Sequence, residues 1–424
     1  VRSKLPSPAA LPALALLVLA VALGACGSSS SGDGAATRAS AADAHATEPT
    51  PRGCAALVAT TLGEVASRIY AAASHGSNVG EAVGRVRGSS ALRAAIASGD
   101  ARAVGNALDA LLVNQIARIE IVEGGHVIAA AGKGAAIAPV HGSIPETDAS
   151  FVLSVQAASS YLQVTRQVTG AQILLDTPSK RLGRTIAGPP LARLRHDGAL
   201  RYGGHSYEVT SVAAATYPSG LLRIALLVPT ARLSCPGSAA QTHAETLGHV
   251  GERIYGEEAG SPYVKATLRH LEADAGFQRA VATRDTAATR AAIVGFFAAH
   301  IHVVRVRVNV SEPSGAERFF FDLGGPYVLA PVHGTLRSAG RVVGHFSFAI
   351  QDDAGYLRLA RLFTGAEVLM RTGAKQVMGS LDPGPSSVPD RGAVSYRGRD
   401  YEAYSFAGVA FPSGPLRISL LIAR

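Results

Sequence analysis

The sequence predicts an α+β protein made of two tandem copies of one domain, each opening with helices and closing with a mostly antiparallel sheet. Three observations carry this: a long-range internal repeat, a switch of apolar spacing from helical to strand periodicity within each copy, and a composition rich enough in apolar residues to fold. The 424 residues suffice for more than one core. With 47% hydrophobic and 17% charged residues, broad disorder is excluded.

The repeat is read first. Thr61-Leu62-Gly63 and Arg68-Ile69-Tyr70 recur as Thr246-Leu247-Gly248 and Arg253-Ile254-Tyr255, a shift of 185. The shift is 192 at Ala138-Pro139-Val140-His141-Gly142 against Ala330-Pro331-Val332-His333-Gly334, 195 at Tyr161/Tyr356, and 194 at Pro218-Ser219-Gly220/Pro412-Ser413-Gly414. It changes only between periodic segments, where loops tolerate insertions. Units this long are duplicated domains, not solenoid repeats. They divide the chain into 54–234 and 235–424.

The N-terminus predicts a lipoprotein signal peptide over 1–25. Arg2 and Lys4 precede an apolar run from Leu11 to Leu23, too short for an ordinary membrane span. Leu23-Gly24-Ala25-Cys26 resembles the bacterial lipobox, which implies a lipid on Cys26 and a position on the outer face of the cell membrane. Residues 26–53 hold this Cys and a Gly/Ser/Ala/Thr-rich tether. Cys54 and Cys235 flank the first copy; outside the cytoplasm they are expected to form a disulfide, the alternative being two free thiols. The chain ends just after its last strand, so no output module is expected in cis and a separate signalling or transport partner is implied. The net charge of +9 comes mostly from scattered Arg without aromatic interleaving, which argues against nucleic acid as a partner.

The second copy gives the clearest element order. Leu247, Val250 and Ile254 stripe a first helix. Asp285 caps another that carries Ile293, Phe296 and Phe297. Val304, Val306 and Val308 then alternate with Arg305, Arg307 and Asn309 as a two-faced strand. Phe319-Phe320-Phe321 form a second strand, Ala-Pro-Val-His-Gly a loop, and Arg341 to Gln351 a third strand. Asp352 or Asp353 caps a helix through Phe363, closed by Gly365, and strands follow near 366–371, 375–380, 400–411 and 415–423.

The run Gly340-Arg341-Val342-Val343-Gly344-His345-Phe346-Ser347-Phe348-Ala349-Ile350, leading into a helix with Tyr356 and Leu357, resembles the Cache family of extracytoplasmic sensors. That resemblance implies a PAS-like sheet in each copy, one face on the long first helix and the other lining a ligand cavity. The family's aromatic/Arg signature for amino-acid ligands is absent.

No catalytic constellation is present: no G-x-S-x-G, no H-E-x-x-H, no phosphate-binding Gly-Lys loop. The chain is therefore expected to be a binder, not an enzyme, with no cofactor. His300, His302 and His333 form the one conceivable metal set, but His243, His249 and His270 show that His is common here, and no metal is expected. On the implied cavity face, Arg305 and Arg307 are candidates to hold a carboxylate through paired hydrogen bonds; the alternative is a solvated strand face. His333 is a candidate for the pocket mouth or for a cap on its own loop. Gln351 and Tyr356 are candidate pocket residues at the strand-to-helix junction, joined by Asp322 and Tyr327. Arg307, Asp322, Tyr327 and Asp352/Asp353 correspond to Glu120, Ala130, Ala135 and Ala157/Ala158, so the second copy is the expected ligand binder. The leading expectation is a membrane-anchored receptor for a small anionic solute. The alternative is an envelope module that binds a protein or polymer and has no cavity.

Overall fold

A computed structural model describes residues 51–424 other than 113–114, 191–193, 232, 234, 236, 301 and 326–327. Cys26, the signal segment, the tether up to residue 50 and Tyr327 lie outside the described residues. No described helix is long and apolar enough to cross a membrane.

The α+β class holds, and both copies have the same element order. The first copy runs α1 (Pro51–His75), three short helices α2–α4 (Ser77–Gly88, Ser90–Ala97, Ala101–Leu112), then strands β1 (Arg118–Glu123), β2 (His126–Gly132), β3 (Ala136–Ile137), β4 (Val140–Ser143), β5 (Ser150–Ser154) and β6 (Gln156–Ala157). It continues through α5 (Ala158–Thr169), β7 (Gln172–Asp176), β8 (Arg181–Arg184), β9 (Gly198–Tyr202), β10 (His205–Ala215) and β11 (Leu221–Pro229). The second copy repeats this as α6 (Ala239–Gly260), α7–α9 (Pro262–Ala273, Ala275–Ala282, Thr286–Ala299), β12 (Arg305–Ser311), β13 (Glu317–Gly324), β14 (Val328–Leu329), β15 (Val332–Ser338), β16 (Arg341–Ala349) and β17 (Gln351–Asp352). Its last part is α10 (Asp353–Thr364), β18 (Glu367–Thr372), β19 (Lys375–Gly379), β20 (Arg391–Tyr396), β21 (Arg399–Val409) and β22 (Pro415–Ala423).

Where the sequence suggested one sheet per copy, the strands are divided among two larger sheets and a two-stranded pair, β3-β6 or β14-β17. An outer four-stranded sheet, β2-β1-β5-β4 or β13-β12-β16-β15, packs on the three short helices. An inner five-stranded sheet, β8-β7-β11-β10-β9 or β19-β18-β22-β21-β20, packs on the long helix. Val306, Val308 and Val310 therefore bury against α7–α9, where they close a separate outer core with Phe277, Ile293 and Phe296, and not against α6. Ala-Pro-Val-His-Gly is also more than a loop. Val332 opens β15, because Gly334 leaves room for the Phe346 ring; an added Cβ would lie 2.3 Å from its Cζ. Gly142 serves Phe151 in the same way, at 2.4 Å. Other local readings match in detail: Asp352 caps α10 through Gly355 N at 2.6 Å, and Gly365 closes it with φ 71°.

The two copies share one central core. α1 packs on α6, and α5 and α10 each pack on both. Val65 and Ile69 join Val250 and Ile254 there, with Ile224 and Ile418 from the two inner sheets. The repeated Arg-Ile-Tyr explains the pairing. Arg68 on α1 donates to Thr364 O at the end of α10 (2.8 Å), and Arg253 on α6 donates to Thr169 O at the end of α5 (2.6 Å). Each cation satisfies the orphan carbonyls and negative dipole end of a helix in the other copy. Cys54 and Cys235 are joined as a disulfide, with their Cα atoms 6.0 Å apart.

Candidate functional site

The outward face of the second copy's outer sheet is polar, because each buried Val of β12 alternates with a residue pointing away from the helices. Register sets the rows on this face. Arg307 lies beside Asp322 on β13 and Ser347 on β16, and Ser347 lies beside His333 on β15. One step along, Asn309 pairs with His345, which pairs with Thr335. Glu272 at the end of α7 and the Pro412-Ser413 tip between β21 and β22 complete a cleft of about 470 Å³.

Arg307 is its least satisfied group. Its Nε is buried with no hydrogen-bond partner among the described residues, and its guanidinium is 4.0 Å from Asp322 and stacked over Phe319 at 4.8 Å. His333 Nδ1 shares a 2.9 Å hydrogen bond with Ser347 Oγ. His345 Nδ1 lies 3.3 Å from Thr335 Oγ1 and its Nε2 3.7 Å from Glu317. Glu272 accepts from Thr335 N at 3.1 Å. The cleft thus offers one cation, neutral donors and acceptors, and two carboxylates.

Other expected site residues fall elsewhere. Arg305 is already occupied: Asp322 takes its Nε and Nη2 at 2.8 and 2.7 Å, and Gly325 O takes Nη1 at 3.1 Å. That pairing raises the Arg305 pKa further and holds the end of β13, so Arg305 and Asp322 make a structural clamp. Gln351 is buried at the β14–β17 pair. Tyr356 is fully buried and donates to Gly251 O at 3.0 Å, so it fastens α10 to α6; burial raises its pKa well above the ordinary value. The candidate metal residues are separated. His300 meets His270 at 2.6 Å, His302 stands against the Tyr263 ring, and His333 is in the cleft. Among the described residues no three such side chains gather as metal ligands.

The sequence reading missed Asn309, Thr335, His345, Ser347, Glu272 and Glu317. For His345 and Ser347 the signal was present, since they alternate with Phe346 and Phe348. Glu272 and Pro412 arrive from distant segments and carried none.

The first copy closes the same place. Glu120, Val122, Val152 and Ser150 stand where the second copy has Arg307, Asn309, Ser347 and His345. Tyr217 replaces Phe411, is buried against Val152, and donates to Val152 O at 3.3 Å. Burial, then the nearby Glu120 charge, raises the pKa of its hydroxyl. A larger cleft of about 580 Å³ opens on the first copy's inner sheet. Its carboxylate, Asp176, is saturated by Arg181 at 2.7 Å and Arg223 at 3.4 Å, and much of the wall is Ala, Leu and Pro. We therefore place the candidate site in the smaller, more polar cleft.

The sequence matches no protein-family model and no curated protein. Among solved structures, the chain is similar to the periplasmic domain of Vibrio cholerae LuxQ, at 12% identity and a TM-score of 0.29, covering 43% of this chain and 100% of that one.

Proposed function

We propose that this protein is an extracytoplasmic receptor, held at the membrane by a lipid on Cys26, that binds a small anionic solute in the second copy's cleft and reports to a separate partner without catalysing a reaction. The observation that supports this best is the under-satisfied Arg307 beside an open polar cleft whose counterpart is plugged by Tyr217. A carboxylate on Arg307 gains charge-assisted hydrogen bonds that Asp322, at 4.0 Å and committed to Arg305, does not supply. His333, Ser347 and Asn309 then fix the rest of the solute by hydrogen bonding.

The cleft is also connected to the helices. Pro412-Ser413 is the tip of a hairpin whose Val409 N donates to Tyr255 Oη on α6 at 2.7 Å. A solute that pulls on the tip would bias the position of α6. The test is a thermal-shift screen of the mature protein against organic acids, with Arg307→Ala as control. A ligand that binds only the folded state must raise the melting temperature. A rise with one carboxylate class that vanishes in the variant supports the reading. A rise that persists in the variant, or none across the panel, overturns it.

A further inference from the structure

A further cavity, of about 80 Å³, lies between the two copies, away from the polar cleft. Ile69 of α1 with Val164 and Val168 of α5 forms one wall, and Leu359, Leu362 and Phe363 of α10 form the other. Glu258, on the last turn of α6, lines it. Its side chain is only 9% exposed, and the charges acting on it are the neighbouring carboxylates of Glu257 and Asp352. A buried carboxyl with only like charges acting on it is costly to keep, because burial penalises its charge. The first copy avoids that cost, having Ala72 and Ala73 where the second has Glu257 and Glu258.

The charges that act on Glu258 are acidic, while the Arg68 and Arg253 guanidiniums nearby are bonded to the Phe363 and Val168 carbonyls at the ends of α10 and α5. Glu257 lies beside it on α6 and Asp352 approaches from β17, while the Tyr356 hydroxyl of α10 is nearby but bonded to Gly251 O. Gln156 and Gln167 add two carboxamides to the lining. A negative field, a buried carboxyl and aliphatic walls suit one kind of ligand. We propose that this cavity binds a small organic ammonium ion, its charged head on Glu258 and its short apolar tail against the walls from both copies.

Burial, reinforced by Glu257 and Asp352, pushes the Glu258 carboxyl up to about 8. Below that pH the free site is protonated, so an arriving ammonium forms its ion pair only as the carboxyl proton leaves to solvent. Apparent affinity should therefore rise about tenfold per pH unit up to about pH 8 and level off above it.

Calorimetric titration of the full mature chain with n-butylammonium chloride and with n-butanol, at pH 6 to 9, tests this. Butylammonium should bind with the stated pH dependence, in the unaltered chain and in Arg307→Ala alike. At pH 9, Glu258→Gln should lose at least about tenfold in affinity for the amine, the order expected for one lost charge-assisted contact. Butanol binding equal to that of the amine would reduce the site to an apolar hole. Amine binding unchanged in Glu258→Gln, or absent at pH 9, would equally overturn the proposal. The pH series needs no variant, so the test survives if the substitution harms folding.

Discussion

Arg305 and Arg307 differ by two positions and by everything that matters to function. Both leave β12 on the same face, yet Arg305 is clamped by Asp322 while Arg307 keeps a buried Nε unbonded. Asp322→Ala should therefore cost about 1–3 kcal/mol in urea unfolding, since it removes two charge-assisted hydrogen bonds from a half-buried guanidinium. Arg307→Ala should cost less than about 1 kcal/mol, yet abolish any carboxylate-dependent rise in melting temperature. The alternation of Val306, Val308 and Val310 with polar residues made this face legible in the sequence. The partner was not legible: Asp322 meets Arg305 across a strand pair whose register shifts between Val308 and Asn309, and no local pattern encodes that shift. Tyr356 was ambiguous for a related reason. A Tyr on an amphipathic helix reads equally well as lining or core, and its Gly251 partner is 105 residues away.

At the scale of elements, local chemistry was the readable part. Caps, the αL glycine and the alternating strands follow from neighbours within a few residues, and they fell where spacing placed them. The division of each copy into outer and inner sheets was hidden, because a period of two reports which face is buried and not which strand lies alongside. The Pro and Gly of the Ala-Pro-Val-His-Gly segment read as turn signals, whereas its Gly serves a ring on the neighbouring strand. Gly334→Ala should consequently destabilise by about 1–3 kcal/mol through overpacking against Phe346, measurable by chemical denaturation, and Gly142→Ala should do the same against Phe151. Gly365→Ala should also destabilise, by about 1 kcal/mol, since its φ is 71° and its Cβ would crowd the Arg68 guanidinium.

Across the whole molecule, the duplicated helices are joined by reciprocal contacts, and the carboxyl at that junction makes stability depend on pH. Glu258 titrates near 8 when folded against an ordinary value of 4.5. Between those values the folded chain holds a proton that the unfolded chain has released, so stability falls as pH rises through that window. The slope is at most about 1.4 kcal/mol per unit, and it vanishes above pH 8. Asp353, pushed up to about 6 mainly by burial, adds a drop of the same sign from its ordinary 3.8 to about pH 6. Urea melts at pH 5, 7 and 9 should show this decline, and Glu258→Gln should flatten its upper part. The shared centre has a further consequence, for the order in which the molecule loosens. Residues of both copies complete one hydrophobic interior, whereas each outer sheet closes its own with its three short helices. Neither long helix can open without exposing the other's contacts, but an outer lobe can breathe alone. In hydrogen exchange, amides of α7–α9 and β12 should open ahead of those of α1 and α6, and a solute seated in the polar cleft should slow the first group while leaving the second unchanged.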